Sequence, residues 1–219
     1  MRTLLLAGLV GLTTLAVACS PSPREDHVDT GPQDTARPAA DTAPAMPAMT
    51  WWIDTDTSQL TFITVKNGDF DEEHELTGVS GSLTEGGELR MELDMATVET
   101  FIPIRNERMA EHLFQTADHP FARIEGELDY GALWVEVGET HTIPVDFTLM
   151  LRDIPLDLTA SVRIEHVADG HVRVTTAAPI SVAASPLQLM DGIDTLQELA
   201  GLESIDRDIA VDFTLELRR

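Results

Sequence analysis

From residue 51 onward, apolar and polar residues alternate with a period of two. Over Leu89–Met95 the apolar positions are Leu89, Met91, Leu93 and Met95, separated by Arg90, Glu92 and Asp94. Over Ile143–Leu151 they are Ile143, Val145, Phe147, Leu149 and Leu151. Ile154, Leu156, Leu158, Ala160, Val162 and Ile164 continue the pattern, and Ile209, Val211, Phe213, Leu215 and Leu217 close the chain in the same way. Successive side chains of a strand point to opposite faces, so this period predicts strands with one apolar and one wet face. Such strands pair antiparallel, because parallel strands are usually apolar on both faces. On this pattern Phe147, Leu149, Phe213 and Leu215 are expected at heavily buried positions.

Turn signals separate the runs: Asn67-Gly68-Asp69, Glu85-Gly86-Gly87, Asp153 before Pro155, and Asp169-Gly170. Weaker strands are predicted over 58–66, 75–83, 121–129, 132–137 and 171–180. Long strands joined by short turns favour a closed antiparallel barrel of about eight strands, since closure removes exposed edges. Two segments break the alternation. Ile104–Gln115 is predicted helical, with Met109 and Leu113 on one face, and Leu189, Ile193, Leu196 and Ala200 repeat at helical spacing before Gly201. Helices inserted in such a chain are expected to cover a barrel end.

The N-terminus follows a different pattern. Arg2 precedes a short apolar run, Leu4 to Val17, which suits the core of a signal peptide better than a membrane span. It ends in Leu15-Ala16-Val17-Ala18-Cys19, which resembles a bacterial lipobox. That resemblance implies cleavage before Cys19, diacylation of its sulfur and residence in the cell envelope, with Ser20 implying the outer membrane and a periplasm-facing domain. Cys19 is the only cysteine, so no disulfide can staple one chain. Six of the 12 prolines (Pro21, Pro23, Pro32, Pro38, Pro44 and Pro47) fall in residues 20–50, a composition that predicts an extended linker. The expected organisation is therefore a signal peptide over 1–18, an acylated cysteine and linker over 19–50, and one all-β domain with short helices over 51–219.

Net charge is −24, with 14 basic against 38 acidic residues, and Lys66 is the only lysine. This excludes nucleic acid as a partner and disfavours electrostatic docking on anionic lipid. Catalytic and metal motifs are lacking. Glu111-His112 and Asp118-His119 have no zinc-type spacing, and Gly78-Val79-Ser80-Gly81-Ser82 lacks the last glycine of a nucleophile elbow. Neither an enzyme nor a metal or cofactor site is expected.

The block Val98-Glu99-Thr100, Ile104-Arg105-Asn106-Glu107-Arg108-Met109, His112-Leu113-Phe114 and His119-Pro120 resembles the YceI-like family. Ile53-Asp54, Ser58, Phe62, Gly78, Gly81 and the closing Val211-Asp212-Phe213-Thr214-Leu215 are similar to it as well. The resemblance implies a lipocalin-like barrel whose lumen holds a polyisoprenoid or similar amphiphile, without catalytic residues. The residues expected to line that lumen are Phe62, Met91, Leu93, Phe114, Val145 and Phe147, together with Leu149, Leu156, Leu158, Phe213 and Leu215. Methionines such as Met91 and Met95 adapt readily to a flexible chain. Arg105, Arg108 and Arg123, close together in a chain poor in basic residues, are expected to meet a headgroup, because guanidinium geometry suits phosphate oxygens. The favoured function is an envelope lipoprotein that binds or carries an isoprenoid-type lipid, polyprenyl or quinone. The alternative is a non-catalytic interaction module with a packed core that binds an envelope protein.

Overall fold

The computed structural model describes residues 49–134 and 136–219, so the expectations for Cys19, the signal peptide and most of the linker lie outside the described residues. Among the described residues, twelve strands form one antiparallel sheet. They are β1 (Trp51–Ile53), β2 (Gln59–Lys66), β3 (Phe70–Leu76), β4 (Val79–Leu83), β5 (Glu88–Asp94) and β6 (Val98–Glu99). After these come β7 (Phe121–Glu127), β8 (Thr140–Leu151), β9 (Ile154–Ala168), β10 (His171–Thr176), β11 (Ile180–Ala183) and β12 (Asp208–Arg218).

Four pairs of these strands are single runs of chain interrupted by a kink. β1 and β2 share one flank of β12, with Ile53 opposite Leu217 and Leu60 opposite Phe213. β10 and β11 share its other flank. β3–β4 and β5–β6 behave alike, which leaves eight runs in an up-and-down barrel closed between the first and the last. The kinks keep their polar groups satisfied. Asp54 donates its N–H to Glu216 O at 2.8 Å, and Gly78 donates to Thr97 Oγ1 at 2.8 Å. The Asp94 carboxylate caps the 3-10 turn Met95–Thr97 by accepting from Ala96 N at 3.0 Å.

The alternation sorts residues as the pleat requires. In β8 Thr140, Thr142 and Asp146 are exposed, while Val145 and Leu151 are buried on the opposite face. Outer-face polar residues bond across strands, as Thr148 Oγ1 does to Asp157 Oδ1 at 2.7 Å. Of the four residues expected to be heavily buried, only Leu215 is; Phe147, Leu149 and Phe213 are half-buried. They point inward as expected, but the inside of the barrel is hollow where they stand.

Other expectations need correction. The strand expected over 75–83 is split at Thr77-Gly78, and most of β3 precedes it. The run expected over 171–180 divides into β10 and β11. No strand forms at the start of 132–137; the chain makes a 3-10 turn over Tyr130–Leu133, because the Asp129 carboxylate accepts from Gly131 N at 2.9 Å and caps it. The helix expected over 104–115 is present in two parts: α1 (Pro103–Arg108) and a wider π-helical turn, Met109–Phe114. A second helix, α2 (Met190–Ala200), ends as expected at Gly201, whose φ of 64° is the left-handed conformation that glycine adopts without strain.

Candidate functional site

Strand direction puts the ends of the barrel to different use. One end carries the 3-10 turn Tyr130–Leu133 and both chain ends of the barrel, Trp51 and Arg219. Trp51, Leu133, Ile164 and Val172 pack there at 1 % exposure or less. The Arg219 guanidinium lies over the rings of Trp51 and Trp134, at 5.1 and 4.5 Å from their centroids. This end is filled.

At the other end α1, the π-helical turn and α2 form a roof. Met109, Leu113 and Phe114 are buried beneath it from one side and Ile193 from the other. The widened π turn brings two consecutive residues, Leu113 and Phe114, to the inner face, where α-helical spacing alone would favour one. The helices meet closely at Gly192: a Cβ there would stand 2.6 Å from His112 O and 3.1 Å from Leu113 Cα. Across the gap between them, Arg108 Nη1 donates to Leu199 O at 3.1 Å.

Below the roof lies a cavity of about 520 Å³. Among the expected lipid-binding residues, Phe62, Met91, Leu93, Phe114 and Val145 line it, as do Phe147, Leu149, Leu158, Phe213 and Leu215. Leu156 does not; it faces the same side of β9 as Leu158 but sits nearer the strand end and packs against the surrounding core. Ile102 and Ile104 both line the cavity and are 45 % and 52 % exposed, so they mark its mouth.

The inner faces of β2 and β3 change character toward that mouth. Along β2 they run Leu60, Phe62, Thr64, Lys66, all lining the cavity. Their partners across the hairpin are Leu76 opposite Leu60, His74 opposite Phe62 and Glu72 opposite Thr64. Glu72 binds Lys66 at 2.5 Å and also pairs with Arg105 Nη1. Burial pushes the Glu72 carboxyl up, but hydrogen bonds from Lys66 and Arg105 outweigh this and hold it below the usual range. Arg105 Nη2 donates to Thr100 O at 2.6 Å. The start of α1 is pinned by the same segment: Asn106 Oδ1 accepts from Thr100 N at 2.9 Å, and Asn106 Nδ2 donates to Glu99 at 2.9 Å. Hydrogen bonds from Asn106 and from the Phe101 amide lower the Glu99 pKa.

Of the three arginines expected at a headgroup, Arg105 and Arg108 line the cavity at the mouth. Arg123 is separated from them. It lies on the outer face of β7, paired with Glu92 at 3.3 Å, because Ala122 and Ile124 take the inward positions on either side of it. Thr64, Lys66 and His74 are among the lining residues absent from the sequence-based site. The turn Asn67-Gly68-Asp69 was the signal that could have found them: register counted back across a hairpin places His74 opposite Phe62.

Among the described residues, no group of three or more His, Cys, Asp or Glu is placed to hold a metal, and no helix is long and apolar enough to cross a membrane. His119 instead meets Asp153 at 3.2 Å, and His112 meets its neighbour Glu111 at 3.8 Å.

The family model of the YceI-like domain matches residues 51–217. A polyisoprenoid binding domain from Saccharophagus degradans, implicated in plant cell wall breakdown, is a structural neighbour at 30 % identity and a TM-score of 0.74. The match covers 77 % of this chain and 97 % of that one. The BcnA protein of Burkholderia cenocepacia shares the fold at 13 % identity and a TM-score of 0.58, over 75 % of this chain and 98 % of its own. No curated protein matches the chain. With a closed eight-run barrel, a helical roof and a family match over almost all the described residues, the chain belongs to the YceI-like domain family.

Proposed function

We propose that this protein is an envelope lipoprotein that binds or carries an isoprenoid-type lipid in its barrel, with quinones among the candidate cargoes. The observation that carries this reading is the hollow lumen. A cavity of about 520 Å³ lies in the size range of small-molecule sites, about 300–1,000 Å³, and its walls below the mouth are aliphatic and aromatic. Half-buried Phe147, Leu149 and Phe213 leave apolar surface that a tail would cover. Each methylene moved there from water contributes about 0.8 kcal/mol before ordering costs, so a tail of several isoprene units reaches micromolar affinity. Likeness to the polyisoprenoid binding domain of Saccharophagus degradans supports the same ligand class.

The test pairs two measurements. Native mass spectrometry of protein purified from its own membrane should show a bound lipid. Met91 lines the cavity midway along β5, so Met91→Trp should block titration of a polyprenyl lipid, followed by tryptophan fluorescence, while leaving the thermal midpoint near that of the parent. If the parent binds no lipid and Met91→Trp destabilises by about 1–3 kcal/mol, as overpacking does, the lumen is a filled core and the interaction-module reading replaces this one. For the anchor, acylation of Cys19 predicts that Cys19→Ser releases the protein from the membrane fraction. Parent protein without acyl chains would remove that part of the proposal.

A further inference from the structure

Five large apolar residues stand in solvent together at the roofed end: Phe70, Phe101, Ile102, Ile104 and Leu199. Phe101, Ile102 and Ile104 belong to the turn of chain that leads into α1, and Phe101 is 66 % exposed. Phe70, 63 % exposed, starts β3. It shares a face with Glu72, the partner of Arg105 in α1, and so lies beside the same turn. Leu199 closes the group from α2, where its carbonyl accepts from Arg108. Phe101 is also held in the left-handed region, at a φ of 62°, which a bulky aromatic residue rarely adopts. The Glu99 carboxylate accepts from the Phe101 amide, and the amide of buried Thr100 donates to Asn106 Oδ1 at 2.9 Å. Hydrogen bonds thus fix a strained backbone that leaves a phenyl ring in water. Strain of this kind persists only where the surrounding structure imposes it, and it gathers at sites of contact with a ligand.

We propose that this rim is a membrane-docking surface, which enters the outer layer of a lipid bilayer so that a tail passes between bilayer and lumen without crossing water. This rests on the lipid-binding reading and adds the surface from which the cargo is taken and to which it is given. Three observations select a bilayer as the occupant. Ile102 and Ile104 line the cavity and are also exposed outside, so the apolar surface is continuous from rim to lumen. Charge is the second. In a chain of net charge −24, Lys66, Arg105, Arg108 and Arg207 line the cavity at this end, with Asp206 the one acidic side chain in the lining among the described residues. The roofed end is therefore the part of an acidic protein that phosphate-bearing headgroups repel least. Reach is the third. Residues 20–50, between Cys19 and β1, span at most roughly 100 Å at full extension. The 15 residues of β9, the longest described strand, span about 50 Å. An anchor on Cys19 thus leaves enough chain for the roofed end, opposite β1, to meet the membrane that holds the anchor. Entry by apolar side chains needs no anionic sheet.

The experiment places protein purified from its own membrane in phosphatidylcholine vesicles, after its lumen has been filled with a polyprenyl lipid. Bromine on the acyl chains of the vesicle quenches indoles that enter the bilayer. The emission added by Phe101→Trp should be largely lost on brominated vesicles, whereas that of the parent should persist, because Trp51, Trp52 and Trp134 lie at the filled end. Raising the salt should leave the quenching in place, since insertion is not screened. Phe70→Asp and Phe101→Asp lie outside the cavity lining, and Asp accepts a left-handed backbone at least as readily as Phe. Both should keep the polyprenyl affinity measured in solution and slow transfer of that lipid into vesicles roughly tenfold, the order expected when one apolar side chain stays out of the bilayer. Quenching of the parent with the Phe101→Trp emission spared would put the filled end on the membrane and overturn the proposal. Emission untouched in both proteins, or transfer unchanged by both Asp variants, would overturn it too. If the indole of Phe101→Trp is shielded from a water-soluble quencher before vesicles are added, and more so at higher protein concentration, the rim joins two copies and the proposal falls. A parent that carries no lipid removes the lumen reading alone, because the quenching still decides whether the rim docks.

Discussion

The two ends of the barrel are made from the same alternating strands and differ in what fills them. At the Trp51 end, side chains from β1, β9, β10 and the Tyr130–Leu133 turn meet with almost no exposure, and an arginine stacks over two indoles. At the roofed end, half-buried Phe147, Leu149 and Phe213 face open space. Stability and binding are therefore held in separate places. The filled end carries packing that would not survive truncation, whereas the roofed end tolerates it because little is packed against those side chains.

Truncation on the two sides tests this contrast most strongly. Ile164 is fully buried below the cavity, so Ile164→Ala should cost about 2–5 kcal/mol in urea unfolding. Phe213→Ala, in the cavity wall, should cost about 1 kcal/mol, well below the roughly 3–5 kcal/mol of a packed phenylalanine. Equal losses would mean that the lumen is filled in solution and that the two ends do not differ.

The next effect belongs to the roofed end alone. His74 has its pKa lowered from 6.5 to about 4, by burial first and by the Arg105 charge second, with Glu72 opposing and Lys66 adding to the lowering. Below pH 6.5 the unfolded chain takes up a proton that the folded chain refuses until about pH 4, so stability should fall as pH drops through that window. From pH 7 to pH 5 the His74 contribution amounts to roughly 2 kcal/mol. Glu72, lowered by Lys66 and Arg105, loses its own contribution only at more acidic pH. Urea unfolding of the parent and of His74→Phe at both pH values isolates the effect. An identical pH dependence in the two proteins would show that His74 is not held neutral by the fold.

Much of the barrel was legible because a period of two admits little else: Leu89–Met95 and Ile143–Leu151 could bury one face only as strands. The same rule, applied to Phe121-Ala122-Arg123-Ile124, would have placed Arg123 outside, since its neighbours are the small and aliphatic residues that go in. His74 was harder to see. It stands in Asp71-Glu72-Glu73-His74-Glu75, a run with no apolar alternation, and its burial depends on strand β2 across the hairpin rather than on its own neighbours. Alternation left the hollow hidden, because it states which way a side chain points and not whether anything meets it there; only the family resemblance implied a lumen. The π-helical turn was equally hidden, as Met109 and Leu113 satisfy ordinary helical spacing.

A weaker effect tests how firmly the roof is closed. Gly192 lets α2 approach the π-helical turn, and a methyl group at that position would press on His112 O and Leu113 Cα, both backbone atoms that cannot swing away. Gly192→Ala should therefore push the helices apart, cost about 1–3 kcal/mol and speed lipid release in stopped-flow displacement. Unchanged stability together with unchanged release would show that the roof has slack the close approach does not suggest.

The least costly substitution separates the mouth from the barrel wall. Arg105, Arg108 and Arg123 are near one another in sequence, yet only the first two line the cavity. Arg123 and Glu92 are about half exposed on the outer face, with Nε and Oε1 at 3.3 Å. An exposed pair of that kind contributes less than about 1 kcal/mol, because water screens it and two flexible side chains must be ordered to form it. Arg123→Ala should thus leave unfolding nearly unchanged and lipid affinity unaltered. Arg105→Ala, by contrast, frees Glu72 from one of its two cations and removes a donor from the cavity wall, so it should weaken binding of a polyprenyl lipid with a polar head more than binding of a polyprene without one. The measurement is the ratio of those two affinities in each variant. If Arg123→Ala lowers that ratio as far as Arg105→Ala does, the head of the lipid reaches the outer face, and the division between a polar mouth and an inert wall is wrong.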